Sequence, residues 1–270
     1  MNSHGAVLDT GGASGEKAAM RILILGGTTE AAGLVRLLAG RPDYDVTLSL
    51  AGRTAAPLAL PARTRIGGFG GAAGLAAYLC EHRIAALIDA THPFARLISR
   101  NAAAAGREAG VPLLAVRRPA WAREPGDAWR EVESVPQATT ALGTAPRRVF
   151  LTVGRLELAA FAAAPQHRYL VRTIEPVGDA LAGIDITTIE ARGPFGAAEE
   201  AALMQRHGVE VLVTKNSGGS ATYGKIAAAR ALGLPVVIVR QPVMPDVPQV
   251  AEARAALDWL DAHRATDRGV

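Results

Sequence analysis

An α/β fold made of two Rossmann-like halves, with parallel sheets and an interdomain cleft, is predicted by three features of the sequence. Short apolar runs typical of buried strands alternate with alanine- and leucine-rich segments at helical spacing, as in a parallel sheet covered on both faces. The alternation restarts after residue 146, so the pattern occurs twice. Apolar residues make up 49% of the chain and 29 residues are glycine, which is typical of a close-packed α/β protein.

The chain of 270 residues is long enough for two domains, and changes in composition suggest their limits. Residues 1–19 are predicted to be a disordered tail, without a secretory signal. We predict an N-terminal nucleotide-binding domain over residues 20–117 and a C-terminal substrate domain over 147–265. Residues 118–146 contain two tryptophans and several prolines without a clean helical period, and are predicted to be a connector.

Charge and hydropathy disfavour several classes of partner. The 29 basic residues barely exceed the 25 acidic ones and form no block, which argues against nucleic acid as a partner. No apolar run approaches the ~20 residues that span a bilayer. The single cysteine, Cys80, falls in a helical pattern and is predicted to be buried. Without an intrachain disulfide, the chain is expected in the cytoplasm. We also expect a monomer or weak homo-oligomer.

The first βα turn is a candidate phosphate site. An apolar strand over residues 21–25 turns on Gly26 and Gly27 and leads into a helical pattern over 31–39. Backbone N–H groups and the positive end of a helix favour an anion at such a turn. The dinucleotide fingerprint is incomplete, because Gly33 comes too late, so an ordinary tight turn is the alternative.

The end of the second predicted strand bears on the choice of nucleotide. Residues 45–50 form this strand, and no acidic residue follows it, as NAD-binding folds would require for the ribose hydroxyls. Arg53 follows instead, which favours a 2′-phosphate and therefore NADP. A solvated loop arginine is the alternative interpretation.

Polar residues follow a third buried strand, predicted over residues 84–88. The carboxyl end of a parallel strand faces the crevice where ligands bind, so Asp89, Thr91 and His92 are candidates for a site. Pro93 fits the first turn of the following helix. Asp89 or Thr91 could instead cap that helix, and an isolated histidine is more often structural than catalytic.

The second half offers a basic strand end and a near match to a phosphate loop. Lys215 follows a predicted strand together with Asn216 and Ser217, where an ammonium group and hydrogen-bond donors suit a carboxylated ligand. A solvated loop is the alternative. Residues 219–225 match Gly-x-x-x-x-Gly-Lys, but Ile226 stands where a P-loop needs Ser or Thr, and Lys225 lies inside a predicted helix.

Four segments, taken in order, resemble the precorrin-6A reductases, the NADPH-dependent reductases of cobalamin biosynthesis. They are Ile24-Leu25-Gly26-Gly27-Thr28-Thr29-Glu30-Ala31, Asp89-Ala90-Thr91-His92-Pro93-Phe94-Ala95, Gly193-Pro194-Phe195 and Lys215-Asn216-Ser217-Gly218-Gly219. The resemblance extends from Met20 to the C-terminus. It implies hydride transfer from NADPH to one carbon of precorrin-6A and protonation of its neighbour, giving precorrin-6B, with no metal required.

The resemblance and the strand ends together give two sets of site residues. The expected cofactor-binding residues are Gly26, Gly27, Thr28, Thr29, Glu30, Arg53, Thr54, Thr91, His92 and Pro93. The residues expected to bind the anionic tetrapyrrole substrate are Arg172, Arg192, Gly193, Pro194, Phe195, Lys215, Asn216, Ser217 and Gly218.

The proton donor and the class of function leave alternatives open. His92, Asp89 and Glu175 are the titratable candidates at the predicted strand ends, while solvent or the substrate itself could also deliver the proton. Competing functions are an NADP(H)-sensing module without turnover and a P-loop phosphotransferase. The sequence leaves open whether the substrate carries cobalt.

Overall fold

The computed structural model describes residues 18–52 and 58–266. Its strands are β1 (Met20–Leu25), β2 (Tyr44–Leu50), β3 (Arg63–Ile66), β4 (Ala86–Asp89), β5 (Leu113–Val116), β6 (Trp129–Val132), β7 (Arg148–Thr152), β8 (Arg168–Thr173), β9 (Ile186–Glu190), β10 (Val211–Lys215), β11 (Val236–Val239) and β12 (Gln249–Val250). The α-helices are α1 (Thr29–Leu38), α2 (Ala72–Glu81), α3 (Arg96–Ala109), α4 (Val135–Ala141), α5 (Ala197–Arg206), α6 (Gly224–Ala231) and α7 (Ala253–Thr266). Two 3-10 helices, Arg155–Ala163 and Gly178–Leu181, lie in the second half.

The described strands form two six-stranded sheets, in the orders β12-β5-β4-β1-β2-β3 and β6-β11-β10-β7-β8-β9. Every pairing is parallel. The predicted fold of two parallel-sheet halves is therefore confirmed.

Strand β1 shows why this sequence forms a central parallel strand. Its residues 22–25 are almost fully buried. Ile22 and Ile24 pack with α1 and α7, whereas Leu23 and Leu25 pack with α2 and α3 on the other face. A strand covered on both faces needs a continuous apolar run, and that run made β1 recognisable in the sequence.

The domain limits differ from the predicted ones because the chain returns to the first sheet at its end. Strand β12 pairs with β5, and α7 packs against α1. Residues 249–266 therefore belong to the first half, although the sequence placed 147–265 in the second. A strand of two residues has no periodicity that would reveal its partner.

The predicted connector is also partly structured. Strand β6 pairs with β11 at the edge of the second sheet, and α4 packs into that half's core. The true crossings between the halves are residues 117–128 on the outward path and 240–248 on the return. Both crossings leave from the carboxyl end of a strand, β5 or β11.

The structure also bears on the expected burial of Cys80 and on membrane-spanning segments. Cys80 is exposed, not buried, because it lies on the outer side of α2. Within residues 18–52 and 58–266, no helix combines the length and apolar character needed to cross a bilayer.

Candidate active site

The first βα turn is a rigid loop that ends in a capped helix. Gly27 has φ of 114°, which favours glycine, and a methyl group on it would meet nothing within 4 Å. The Thr28 hydroxyl oxygen accepts from the Ala31 N–H (3.2 Å) and the hydroxyl donates to the Ala90 carbonyl (2.8 Å). In any α-helix the first N–H groups, here those of Thr29 and Glu30, have no intrahelical acceptor. The turn thus offers N–H donors beside open space.

Glu30, expected to bind the cofactor, is already paired with a residue that the sequence assigned to the connector. Arg118 Nη1 lies 3.0 and 3.3 Å from the two Glu30 carboxylate oxygens. Arg118 Nε also donates to the Ser217 carbonyl at 2.7 Å. Arg118 therefore links the first turn of the first half to the β10–α6 loop of the second half.

Arg53 and Thr54, the residues expected near a 2′-phosphate, lie outside the described residues. Another arginine, Arg65, lies on the neighbouring strand β3, beside the end of β2. Arg65 Nη1 donates to Ser49 Oγ (3.2 Å) and to the Gly67 carbonyl (2.7 Å), and its guanidinium stacks 3.7 Å from the centroid of the Phe69 ring. Arg65 is thus part of the packing between β2, β3 and α2.

The Asp89 side chain stabilises the loop that follows β4. The carboxylate is 2% exposed and accepts from the Thr91 hydroxyl (2.6 Å) and the Thr91 N–H (3.2 Å). Helix α3 begins only at Arg96, and its N-cap, Ala95, offers no side-chain cap. The predicted capping by Asp89 or Thr91 and the predicted helical position of Pro93 are therefore wrong, and Asp89 is enclosed instead of presented to a ligand.

His92 is held in one orientation by the next turn. Its Nδ1 accepts from the Phe94 N–H (3.2 Å), so the neutral ring carries its hydrogen on Nε2. Pro93 is buried, and Phe94 packs against the core of the second half. The Phe94 ring centroid lies 4.8 Å from Lys215 Nζ, so this loop and the end of β10 meet across the boundary.

The loop that follows β10 is built around the outward crossing. The Asn216 amide oxygen accepts from the Trp121 N–H (2.7 Å), and its Nδ2 donates to the Trp121 carbonyl (3.0 Å). The Trp121 indole N–H donates to the Gly219 carbonyl (2.7 Å). At Gly218, where φ is 66°, a methyl group would lie 2.1 Å from the Pro119 carbonyl oxygen. Asn216 thus fastens the crossing, contrary to its expected substrate role.

Lys215 is partly enclosed and paired within its own half. Its Nζ lies 2.6 Å from Glu157 Oε2, an oxygen that also accepts from the Gly154 N–H at 3.1 Å. Its charge is therefore shared with an acidic neighbour, while the aromatic face of Phe94 lies beside it.

Arg172 is a structural cation and not the substrate clamp expected from the sequence. It is 8% exposed and forms a bidentate pair with Glu200, with 2.8 Å between Nη2 and Oε2. Its guanidinium also stacks 3.7 Å from the Phe195 ring centroid. Both edges of the fork are thus occupied inside the protein.

The remaining predicted residues lie at the edges of the second half. Arg192 and Pro194 are exposed, and Glu175 is half-buried. The Phe195 N–H donates to the Ala221 carbonyl at 3.2 Å, which joins the Gly193–Phe195 loop to the start of α6. These loops therefore adjoin the loop after β10.

Lys225, the lysine of the near P-loop match, is buried. Its Nζ donates to the Thr222 carbonyl (2.9 Å) and lies 5.1 Å from the Trp121 ring centroid. Burial, aided by the nearby charge of Arg172, lowers the pKa of Lys225 to about 7. A lysine so placed does not reach a phosphate in the loop, which removes the main support for a phosphotransferase.

A cavity of about 580 Å³ lies between the outward and return crossings. Arg117 and Gln241 line it, and three of their buried nitrogens, Arg117 Nε and Nη2 and Gln241 Nε2, have no hydrogen-bond partner in the described structure. Arg117 Nη1 donates to the Pro245 carbonyl at 2.9 Å. Unpartnered buried donors cost free energy, so they favour a ligand rich in acceptors.

The residues missed from the sequence are Arg117 and Arg118. Their signal was present, since two arginines directly follow the apolar run over residues 111–116, and the carboxyl end of a parallel strand is where ligands bind. The tryptophans and prolines that follow obscured it. Among the described residues, no group of three His, Cys, Asp or Glu could hold a metal ion.

Two parallel sheets joined through their strand-end loops, with a glycine turn at a helix N-terminus, define a Rossmann-like protein of two halves. The family model described as "Precorrin-6x reductase CbiJ/CobK" matches residues 21–261. A precorrin-6A reductase of Sinorhizobium sp is 54% identical over 244 residues, covering 89% of this chain and 94% of the relative. One of Rhodobacter capsulatus is 44% identical over 250 residues, covering 93% and 99%.

A solved structure gives the same result. The structure titled "CobK precorrin-6A reductase" has a TM-score of 0.87 and 44% identity, covering 93% of this chain and all of that one (100%). The chain belongs to the precorrin-6x reductase family and is an oxidoreductase. The family predicted from the four segments is confirmed.

Proposed function

We propose that the protein reduces precorrin-6A to precorrin-6B in cobalamin biosynthesis, with NADPH as the cofactor. NADPH, when bound, supplies the hydride for one carbon of the macrocycle. The observation that carries the proposal is the first βα turn, where the first N–H groups of α1 lie beside the open space at Gly27, next to the Arg118 link between the halves. The protein itself supplies position and electrostatics.

The first turn fits the phosphates of a dinucleotide. Gly27 leaves the backbone accessible, whereas Gly26 is packed against Leu48 and its N–H donates to the Ser49 carbonyl (2.9 Å). The positive end of α1 favours an anion. The bonds of Thr28 to Ala31 and Ala90 fix the turn against the end of β4 before a ligand arrives. The cofactor would therefore lie along the carboxyl ends of β1 and β4, close to His92 and Pro93.

Arg53 is proposed to select the phosphorylated nucleotide, with Thr54 beside it. We expect Arg53→Ala to weaken NADPH binding roughly tenfold or more and to leave NADH binding nearly unchanged, because only NADPH has a 2′-phosphate for the guanidinium. Fluorescence titration with both nucleotides measures this. Arg63→Ala is the matched control, since the Arg63 side chain is 73% exposed on the neighbouring strand. Equal losses for both nucleotides would remove Arg53 from this role.

The substrate is proposed to be an anionic tetrapyrrole held between the halves. Its carboxylates suit the side chains of Arg117 and Gln241, which line the cavity between the crossings. On the second half, the residues proposed to contact the substrate are Arg192, Gly193, Pro194, Phe195, Lys215, Ser217 and Gly218. The electrons pass into the conjugated macrocycle, so the proposal needs no metal.

His92 is proposed as the proton donor in its imidazolium form, since loss of a proton from the neutral ring, whose Nδ1 accepts from the Phe94 N–H, would leave an imidazolate. Asp89 is occupied by Thr91, and Glu175 on the second half is the second candidate. We expect His92→Asn to lower kcat more than it weakens NADP⁺ binding, which steady-state kinetics and calorimetry separate. If kcat is unchanged, the proton comes from Glu175, solvent or substrate.

The direct test is incubation of the protein with NADPH and precorrin-6A. The proposal predicts loss of the nicotinamide absorbance band and a product heavier by one hydride and one proton, measured by mass spectrometry. A parallel reaction with cobalt-precorrin-6A shows whether the metal-bearing macrocycle is also a substrate. Tight NADPH binding with no turnover of either corrinoid would favour the NADP(H)-sensing module instead.

We further propose that the enzyme acts in the cytoplasm as a monomer or weak homo-oligomer.

A further inference from the structure

Glu30 poses an electrostatic problem for a cofactor at the first turn. It is the second residue of α1, so its carboxylate lies in the helix turn whose N–H groups are proposed to face phosphate. Two negative groups a few ångströms apart repel each other, and the repulsion is larger where protein excludes water. Only 19% of the Glu30 side chain is exposed, so solvent screens it weakly.

Arg118, in the outward crossing, pairs with the Glu30 carboxylate and offsets its negative charge. Its Nη1 lies within 3.3 Å of both Glu30 oxygens, and its own side chain is 13% exposed. The bond from Arg118 Nε to the Ser217 carbonyl (2.7 Å) holds the guanidinium in this position. The side chain also crosses Gly219, whose added methyl would lie 2.8 Å from Arg118 Cδ. The cation is thus fixed between the halves.

We infer that Arg118 is a positioning residue that neutralises Glu30 and so makes the first turn receptive to the cofactor's diphosphate. The inference rests on the proposed NADPH site at this turn. It assigns to a residue of the outward crossing a role in the affinity of the first half for its nucleotide. The local charge of the pair is zero, and binding should follow that charge when either residue is changed.

Four proteins test this inference through NADP⁺ dissociation constants, measured by calorimetry without substrate. Arg118→Ala leaves the Glu30 carboxylate uncompensated and should weaken binding roughly ten- to hundredfold. Glu30→Gln leaves a cation and should tighten binding. The double variant restores a neutral pair and should bind within about threefold of the parent protein.

Arg118→Lys separates charge from packing, because lysine keeps the charge but loses the fork that reaches both Glu30 and Ser217. Binding close to that of the parent supports neutralisation. A loss equal to that of Arg118→Ala would mean that Arg118 only braces the Ser217 loop, and would overturn the inference. Urea unfolding of each variant confirms that the comparison is made between folded proteins.

Two other results would also overturn the inference. One is a double variant as weak as Arg118→Ala, which would mean that Arg118 contacts phosphate directly. The other is Arg118→Ala binding like the parent. If the parent protein binds neither NADP⁺ nor NADPH, the proposed function itself fails, and the parent titration alone distinguishes that case.

Discussion

Lys225 illustrates, at the scale of a single residue, how a sequence motif and a packed structure can differ. Its ammonium nitrogen is enclosed beside Trp121 and bonds to the Thr222 carbonyl. Burial, together with the charges of Arg172 and Arg118 and opposed by Glu200, lowers the pKa of Lys225 to about 7. The unfolded chain returns the residue to its ordinary value of 10.5.

This pKa difference predicts a pH dependence of stability. Between about pH 7 and 10 the unfolded chain binds a proton that the folded protein does not, so the free energy of unfolding rises with pH. We expect the stability of the parent protein relative to Lys225→Met to rise by on the order of 1 kcal/mol per pH unit in this window. Urea unfolding at several pH values measures the difference.

The comparison with Lys225→Met cancels other groups that titrate in the same range. Burial raises the pKa of Tyr169 to about 12, and the pKa of Tyr223 is also raised. Both tyrosines are present in the two proteins. A difference in stability that stays constant from pH 7 to 10 would contradict the assignment of a neutral, buried lysine.

Residue types at strand ends were readable from the sequence, but their partners were not. The turn at Gly26 and Gly27 was predictable because glycine residues indicate a tight turn of the backbone. Arg172 was taken for a ligand-binding arginine, because nothing in the sequence reveals that Glu200, 28 residues later, closes on it. Long-range pairs such as Glu30 with Arg118 depend on the crossing between the halves, which only the fold provides.

At the scale of elements, burial on both faces decided which strands the sequence could predict. Strands β1, β4 and β10 were found because their apolar runs are covered on both faces. Strands β3, β6 and β12 lie at sheet edges. The exposed positions of β3 and the two-residue length of β12 leave no such run, and these strands were missed.

The packing of α7, from the end of the chain, against the first half can be tested by mutation. Leu260 is fully buried with α1 and β1, although it comes from the end of the chain. We expect Leu260→Ala to lower the free energy of unfolding by about 2–5 kcal/mol, because it leaves a cavity in the first half. Urea unfolding measures the change.

The matched control for Leu260→Ala is Leu97→Ala in α3, where the side chain is 74% exposed. This control should change stability by less than about 0.5 kcal/mol. If Leu260→Ala behaves like Leu97→Ala, α7 does not contribute to the core as described here.

At the scale of the whole molecule, the two crossings make each half depend on the other. Residues 117–128 run from the carboxyl end of β5 to the start of β6, and residues 240–248 run from the carboxyl end of β11 back to β12 in the first sheet. Arg118 and the contact of Phe94 with Lys215 then hold the two sets of strand-end loops together. The proposed cofactor and substrate therefore share one crevice, with one wall from each half.

The most direct test of this account is the structure of the complex with NADP⁺, solved by crystallography. The account predicts phosphate oxygens within hydrogen-bond distance of the backbone N–H groups at Gly27, Thr28 and Thr29, with the nicotinamide toward His92. A cofactor bound instead at the loop after β10, or a first turn closed by side chains, would contradict it.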